Sequence, residues 1–521
     1  AALLMKLVLF DGDKTIGGAK FGLQSGDTSL LLDFGLNFST FGRLFSEFLQ
    51  PRGCRGLHDL WHTGLIPPFS GAYRQDLFPA DFMPREALKF SPDAVIVSHA
   101  HLDHMGLLGA IREDISIACS STTAMIMKSL QDTGQSVCHQ EYAYAIPRIA
   151  NGSSSTIKSS SYTTPAISRP LMTLDVCPEE AARFWVTSHN GRSIASGNVT
   201  SEVSSIDSLS IGSFPVDHSV PGCVAVEVRD ESTRLIYTGD LRTHGSRGAD
   251  TSSFIDRLEA DPPDVLIVEG TRIGRASDRV VTEREVAERA FDIVKASAGR
   301  LVIADFGGRQ VERLSAFATV AAELGRRLLI STKDAHLLEA IAVVDSDYNL
   351  LEHRRVGVYA DPRAMEQKWE QRIRTVFKDL LVHPAEVGDD PGAYMLAFSV
   401  WDMPEMLDLA CDSAVYIYSS SEAYGEDSRL QLYQLWNWIC QLRMELHGFR
   451  WEGGETGKPI FTPGLNASGH IDEPALREML LRVQAPVVVP VHTEHPEWFV
   501  ETLHGVRSRI ASADERGRIR I

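Results

Sequence analysis

Val97-Ser98-His99-Ala100-His101-Leu102-Asp103-His104 is the stretch on which the reading of this 521-residue chain turns. It sets three imidazoles and one carboxylate within six positions, directly after the apolar run Ala94 to Val97. Imidazole nitrogen and carboxylate oxygen are the usual ligands of zinc and similar divalent ions. In an extended loop His99 and His101 point to the same side, two residues apart. Asp103 and His104 then wrap to a second position. Four ligand groups in so short a span support two ions rather than one. Groups of this kind are costly to crowd together unless something binds them.

Further candidates stand elsewhere, most of them after apolar runs. His218 lies in Val216-Asp217-His218-Ser219-Val220-Pro221-Gly222, and Asp240 follows Leu235 to Thr238. His492 follows Val487 to Val491, and Leu30-Leu31-Leu32-Asp33 is another apolar run closed by a carboxylate. A carboxylate at a strand end can bridge two cations. Each residue alone is a weak signal; in this order after the first cluster they form a strong one.

The organisation divides in two. Leu7 to Phe10, Ser29 to Phe34, Ala94 to Val97, Val224 to Val228, Leu235 to Thr238 and Val265 to Val268 read as short strands. The two before Asp240 form a hairpin, and this half reads as a layered α/β sandwich. Segments 152–161 and 193–213, rich in Ser, Thr, Gly and Asn, read as loops. From Thr282 strands and helices alternate: helix Glu283 to Ala296, strand Leu301 to Phe306, helix Gln310 to Leu324, strand Leu328 to Ser331, helix Asp334 to Val343. Strand Ala414 to Ser419 and helix Ser428 to Leu446 continue what reads as a parallel sheet. Ile460 to Phe461, helix Glu473 to Val483 and strand Val487 to Val491 read as a return to the first half. The expected domains are 1–280, an insert at 281–456, and a completing part at 457–521.

Composition narrows the class. The 44% apolar and 23% charged content is that of a globular protein, and no apolar run is long enough to span a bilayer. Ala1 to Lys6 is too short and abruptly polar for a signal peptide, and Met5 is a candidate natural start. Seven cysteines without a C-x-x-C pair point to reduced thiols and a cytoplasmic location. The net charge of −18 argues against nonspecific nucleic-acid binding over the whole surface, though not against a local basic groove.

The order and local words resemble the β-CASP branch of the metallo-β-lactamase nucleases, and within it the ribonuclease J-like proteins. That resemblance implies an α/β fold: a metallo-β-lactamase αββα sandwich with an inserted β-CASP α/β domain. It implies one metal on His99, His101 and His218, another on Asp103, His104 and His492, and Asp240 between them. Asp33 is similar to the aspartate that orients the metal-binding loop. Glu269, in Val268-Glu269-Gly270-Thr271, resembles motif A, and His470, in Asn466-Ala467-Ser468-Gly469-His470, resembles motif B. By the same likeness His470 serves the substrate phosphate or the leaving oxygen, with Glu269 holding it. Ser468, Gly469, Gly308 and Arg309 are then substrate-phosphate contacts, the last two in Phe306-Gly307-Gly308-Arg309-Gln310.

What this implies is a two-metal hydroxide mechanism, with Asp103, Asp240, His470 and Glu269 as catalytic residues. The cofactors would be two divalent ions, zinc or else manganese. The substrate would be single-stranded RNA, because a histidine at His492 is typical of RNA-acting members. Cleavage could be exonucleolytic, endonucleolytic or both. No membrane is implied, and a homo-oligomer stays open. The alternatives are a DNA nuclease of the same fold, a metallohydrolase of small esters or lactones, and an inactive scaffold subunit. Two departures from ribonuclease J stand out: a longer gap between His104 and His218, and little chain after His492. Phe-Gly-Gly-Arg is also nearer to the RNA 3′-processing endonuclease pattern.

Overall fold

A computed structural model of the chain describes residues 5–46, 48–84, 87–134, 137–195, 197–275, 279–352, 355–409, 413–420, 426–506, 508–511, 513–514 and 517–520. The expectation about the first four residues lies outside this set.

The architecture is mixed α/β, built on three large sheets. The first orders Val199–Thr200, Leu171–Thr173, Ser116–Cys119, Ala94–Ile96, Thr28–Leu32, Lys20–Ser25, Lys6–Asp11 and Arg518–Arg520. The second orders Ser205–Ile206, Leu209–Pro215, Val224–Arg229, Arg234–Tyr237, Val265–Glu269, Val487–Val491 and Arg509–Ile510. Period-two alternation gives each strand an inward row. Leu7, Phe21, Leu30 and Ile96 of the first sheet meet Val226, Leu235, Val265 and Val489 of the second in one core. Each sheet turns its other face to helices. Val95 and Ile117 pack with Met125 of Ser121–Thr133, and Ile236, Leu266 and Val488 pack with Phe254 and Met479. The result is helices, sheet, sheet, helices.

The third sheet is wholly parallel, in the order Leu381–Val382, Val356–Tyr359, Arg327–Ile330, Tyr394–Leu396, Val302–Asp305, Val415–Tyr418 and Glu445–His447. Its chain leaves the second sheet after Val265–Glu269 and returns at Val487–Val491, which pairs in parallel with the strand it left. The return begins later than expected. Lys458–Phe461 pairs with Phe449–Glu452, and Phe461 packs on the third sheet's core rather than on the first two sheets.

The Ser-rich segments are not wholly loops. Ser153–Ser159 pairs with Arg148–Asn151, and Leu209–Pro215 forms a full strand against Val224–Arg229. Both are partly exposed, so their sequences lack the apolar alternation that marks a half-buried strand. The helical expectations fare differently: Glu283–Ala296 and Glu473–Val483 have the bounds read from periodicity.

The two lobes meet where helix Ser121–Thr133 packs on helix Thr332–Ala342. At this junction Asp132 Oδ2 accepts Lys128 Nζ at 2.5 Å and lies 3.1 Å from His189 Nδ1 and 3.3 Å from His336 Nε2. Tyr144 donates to Oδ1 at 3.2 Å, and Lys128, Asp132, His189 and His336 are all buried.

Candidate metal centre

The centre forms at strand ends of the two facing sheets. Ala94–Ile96 runs out into Val97-Ser98-His99, and Leu102–Met105 is a single helical turn that carries Asp103 and His104. Asp33, at φ 57°, turns the chain away from Thr28–Leu32. The turn must be close, because a Cβ on Gly35 would lie 1.6 Å from the Asp103 carbonyl oxygen. His218, Asp240 and His492 follow elements of the second sheet, His492 at φ 52°.

These seven side chains converge in two overlapping groups. Ligand atoms of His99, His101, His218 and Asp240 lie within 4.8 Å of one another, as do those of Asp103, His104, Asp240 and His492. His101 Nδ1 is 3.2 Å from His99 Nε2 and 3.0 Å from His218 Nε2. His104 Nε2 is 3.2 Å from Asp240 Oδ2, and His492 Nε2 is 3.2 Å from Asp103 Oδ2. Asp240 is common to both groups.

Several of these side chains are held from behind. Asp33 Oδ1 accepts the Ser98 N–H at 2.7 Å, and its Oδ2 takes the Ser98 and Tyr237 hydroxyls at 2.8 and 2.6 Å. The same Oδ2 lies 2.7 Å from His104 Nδ1, which leaves Nε2 facing Asp240. His218 Nδ1 lies 2.5 Å from the Gly469 carbonyl. Thr271 Oγ1 bridges His492 Nδ1, at 2.8 Å, and Glu269 Oε2. Such partners fix ring orientation and tautomer. Tyr237, Thr271 and Ser98 were not singled out in the sequence. Tyr237 and Thr271 lie within three residues of a chosen acid, but a hydroxyl there carries no distinguishing pattern.

The electrostatics suit cations. Burial pushes His99 and His101 well below the ordinary imidazole value and His218 down to about 4, so their lone pairs are free. Burial opposes the charges of Asp240 and His104, but each is stabilised by the other. Asp240 is held well below the carboxylate range, with His492 and His470 helping, and His104 well above its usual value, with Asp103 and Asp33 helping. Asp240 Oδ1 and Oδ2 and His104 Nε2 are nevertheless buried without a hydrogen-bond partner. Native structures rarely orphan such atoms. Hard and borderline O and N donors around an orphaned carboxylate fit a pair of divalent cations.

His470 stands at the edge of this group. Its Nδ1 is 3.0 Å from Glu269 Oε2 and 3.7 Å from Asp240 Oδ2. Against partial burial, Glu269 and Asp240 raise it to about 9. Glu269 also accepts the Leu241 N–H at 2.8 Å, tying it to the Asp240 loop. Ser468 and Gly469 supply backbone carbonyls to this loop rather than only surface. Ser468 O accepts from Arg242 at 3.2 Å and lies 3.0 Å from His244 Nε2. A Cβ on Gly469 would meet Ser219 Oγ at 2.8 Å and the His218 ring at 3.0 Å, so only glycine fits. Gly308 is exposed, and Arg309 Nη1 donates to Ala100 O at 3.0 Å, between His99 and His101. Arg242 is fully buried; besides Ser468 O it engages Asp217, Glu283 and Glu312. His495 lies apart, paired with Glu497.

Comparison with known proteins follows the geometry. The chain resembles ribonuclease J over part of its length. It is 21% identical over 192 residues to ribonuclease J 2 of Streptococcus pyogenes serotype M3, covering 36% of this chain and 34% of that one. It is 27% identical over 119 residues to ribonuclease J of Mycolicibacterium smegmatis, covering 22% of this chain and 21% of that one. The chain thus spans about a third or less of the curated relatives it matches. No family profile matches it. In fold it is similar to the crystal structure of a protein of unknown function from Enterococcus faecalis V583. The TM-score is 0.69 at 18% identity, over 99% of this chain and 100% of that one. No helix among the described residues is long and apolar enough to cross a membrane.

Proposed function

We propose that this protein is a metal-dependent ribonuclease that hydrolyses phosphodiester bonds of single-stranded RNA. In this reading the first two sheets are a metallo-β-lactamase sandwich. The segment near 281–456, extended to about Phe461, is a β-CASP insert. The observation that carries the proposal is the orphaned Asp240 carboxylate shared by two ligand groups, with a Glu269-held histidine at its edge. The partial likeness to ribonuclease J supports RNA as the substrate class.

His99, His101 and His218 would hold one cation, Asp103, His104 and His492 the other, and Asp240 both. Bound there, divalent cations lower the pKa of water toward 7 and neutralise charge on a phosphoryl group. The rest of the chemistry belongs to the chain. Glu269 accepts a hydrogen bond from the Nδ1–H of His470 and so keeps the ring protonated and oriented. Nε2 of His470 then donates to a phosphoryl or leaving oxygen. Asp33 and Thr271 hold His104 and His492 in the tautomers that face the centre. Arg309, beside Ala100, brings a fixed positive charge to the phosphate backbone.

Digestion of end-labelled single-stranded RNA and DNA with zinc or manganese tests this reading. RNA should be cut faster than DNA of the same sequence, and a chelator should stop both. Equal cutting of the two would make the protein a DNA nuclease as much as an RNA one. Hydrolysis of small esters with intact RNA would overturn the proposal.

A further inference from the structure

A second site lies in the third sheet. An open pocket of about 550 Å³ sits at the carboxyl ends of Val302–Asp305, Arg327–Ile330, Tyr394–Leu396 and Val415–Tyr418. From Val302–Asp305 the chain winds to one side through Arg327–Ile330 and later sets Val415–Tyr418 on the other. Open α/β sheets bind ligands at this kind of reversal, and the volume suits one small organic group.

The lining states what that group is. Asp305, Asp334 and Asp402 face the pocket against a single cation, Lys333. Asp334 and Asp402 each spend one oxygen on a capping box, with Ser331 and Ser399. Those boxes also occupy the two helix ends that would otherwise attract an anion. Asp305 spends one oxygen on the Tyr416 hydroxyl at 2.6 Å. Among the described residues the other oxygen of each has no protein donor. Burial lifts Asp305 to about 7 and Asp334 to about 6, so the site disfavours negative charge, and N–H donors to these carboxylates would offset that burial. The three carboxylates do not form a cation cluster among the described residues. The aromatic wall is Phe398, buried, and Trp401, 65% exposed at the rim. Spare acceptors beside aromatic rings suit a flat ring with N–H donors, not a phosphate.

The place matters as much as the chemistry. Gly307 and Gly308 line the pocket, and the next residue, Arg309, touches Ala100 in the His99–His101 loop. The pocket and the metal-centre loop are thus joined through a single residue, Arg309, which places the pocket beside the path of a strand that reaches the centre.

We propose that this pocket is a nucleobase subsite that takes a base carrying an exocyclic amino group, guanine before uracil. It rests on the ribonuclease reading and adds a base preference to it. Carboxylate oxygens accept the amino and imino protons, and Trp401 stacks on the ring.

Calorimetric titration of the metal-loaded protein with guanosine, uridine and inorganic phosphate tests it without requiring cleavage. Guanosine should bind roughly tenfold more tightly than uridine. Trp401→Ala should weaken guanosine roughly tenfold or more, and Asp305→Asn should erase the preference for guanosine. Inorganic phosphate should not displace guanosine. Equal binding of the two nucleosides, or indifference to Trp401→Ala, overturns the inference. Displacement by phosphate also overturns it and makes the pocket an anion site. Cleavage of single-stranded RNA is read separately. If guanosine binds as stated and RNA stays intact, the subsite stands and the ribonuclease reading falls. If RNA is cut but the nucleosides bind alike, the ribonuclease reading stands and the subsite falls.

Discussion

Among the described residues two buried gatherings of histidine and aspartate stand out, and they differ in one atom. Around Asp240, seven ligand-type side chains meet with no lysine or arginine among them, and both carboxylate oxygens lack a hydrogen-bond partner. Around Asp132, His189 and His336 offer the same atom types within 4.8 Å, but Lys128 Nζ already sits 2.5 Å from the carboxylate. A buried charge must be compensated. The second group carries a lysine beside its carboxylate; the first has only imidazoles beside a carboxylate whose oxygens lack a hydrogen-bond partner. Clustering alone does not distinguish a metal centre from a packed ion network, whereas such an orphaned carboxylate favours the former.

The comparison breaks most visibly at Asp240. Asp240→Asn should strip metal from the chain, read by elemental analysis, and slow RNA cleavage by about a thousandfold or more. Full metal content in that variant would mean that the orphaned carboxylate had been misread. Lys128→Met is the counterpart. It leaves the buried Asp132 without its lysine, with only His189, His336 and Tyr144 beside it, and should cost about 3–5 kcal/mol of stability in denaturant titration. Its metal content should equal that of the parent. A missing ion in Lys128→Met would show that the second group, lysine included, had been holding one. The smallest effect sharpens the first group from behind: Thr271→Val removes the hydroxyl between His492 and Glu269. Metal affinity should fall by about 10- to 100-fold with the fold intact, measured by competition with a chromophoric chelator.

The same contrast explains what the sequence discloses. His99, His101, Asp103 and His104 are adjacent in the chain, so their density is visible before any folding. Asp240 and His492 each follow an apolar run, and a strand end is a place that sequence can mark; His218 lacks that mark, because the strand before it, Leu209–Pro215, does not read as one. The structure brings all seven together with Asp33, Glu269 and His470. Asp132, His189 and His336 have no such local word. They lie on one helix, one loop and a second helix of the other lobe, and only the packing of the helices makes them neighbours. Arg242 is hidden for the same reason: its partners Glu283 and Glu312 lie on the inserted segment. Leu209–Pro215 is missed differently: Leu209, Ser210 and Ile211 alternate, but Gly212-Ser213 ends the alternation before it is long enough to announce a strand.

The parallel pairing of Val265–Glu269 with Val487–Val491 sets an order of assembly. During synthesis a chain folds from its amino-terminal side, and units tend to fold as wholes. The inserted sheet can form from neighbouring segments alone. The second sheet cannot close until that insert has been made and the returning strand emerges. His492 arrives with that strand, so the centre gains its last ligand only after both lobes exist. On the proposed reading, a nascent chain of this design would lack its last metal ligand until both lobes have been made, so slow closure of the distant pairing would delay the centre as well.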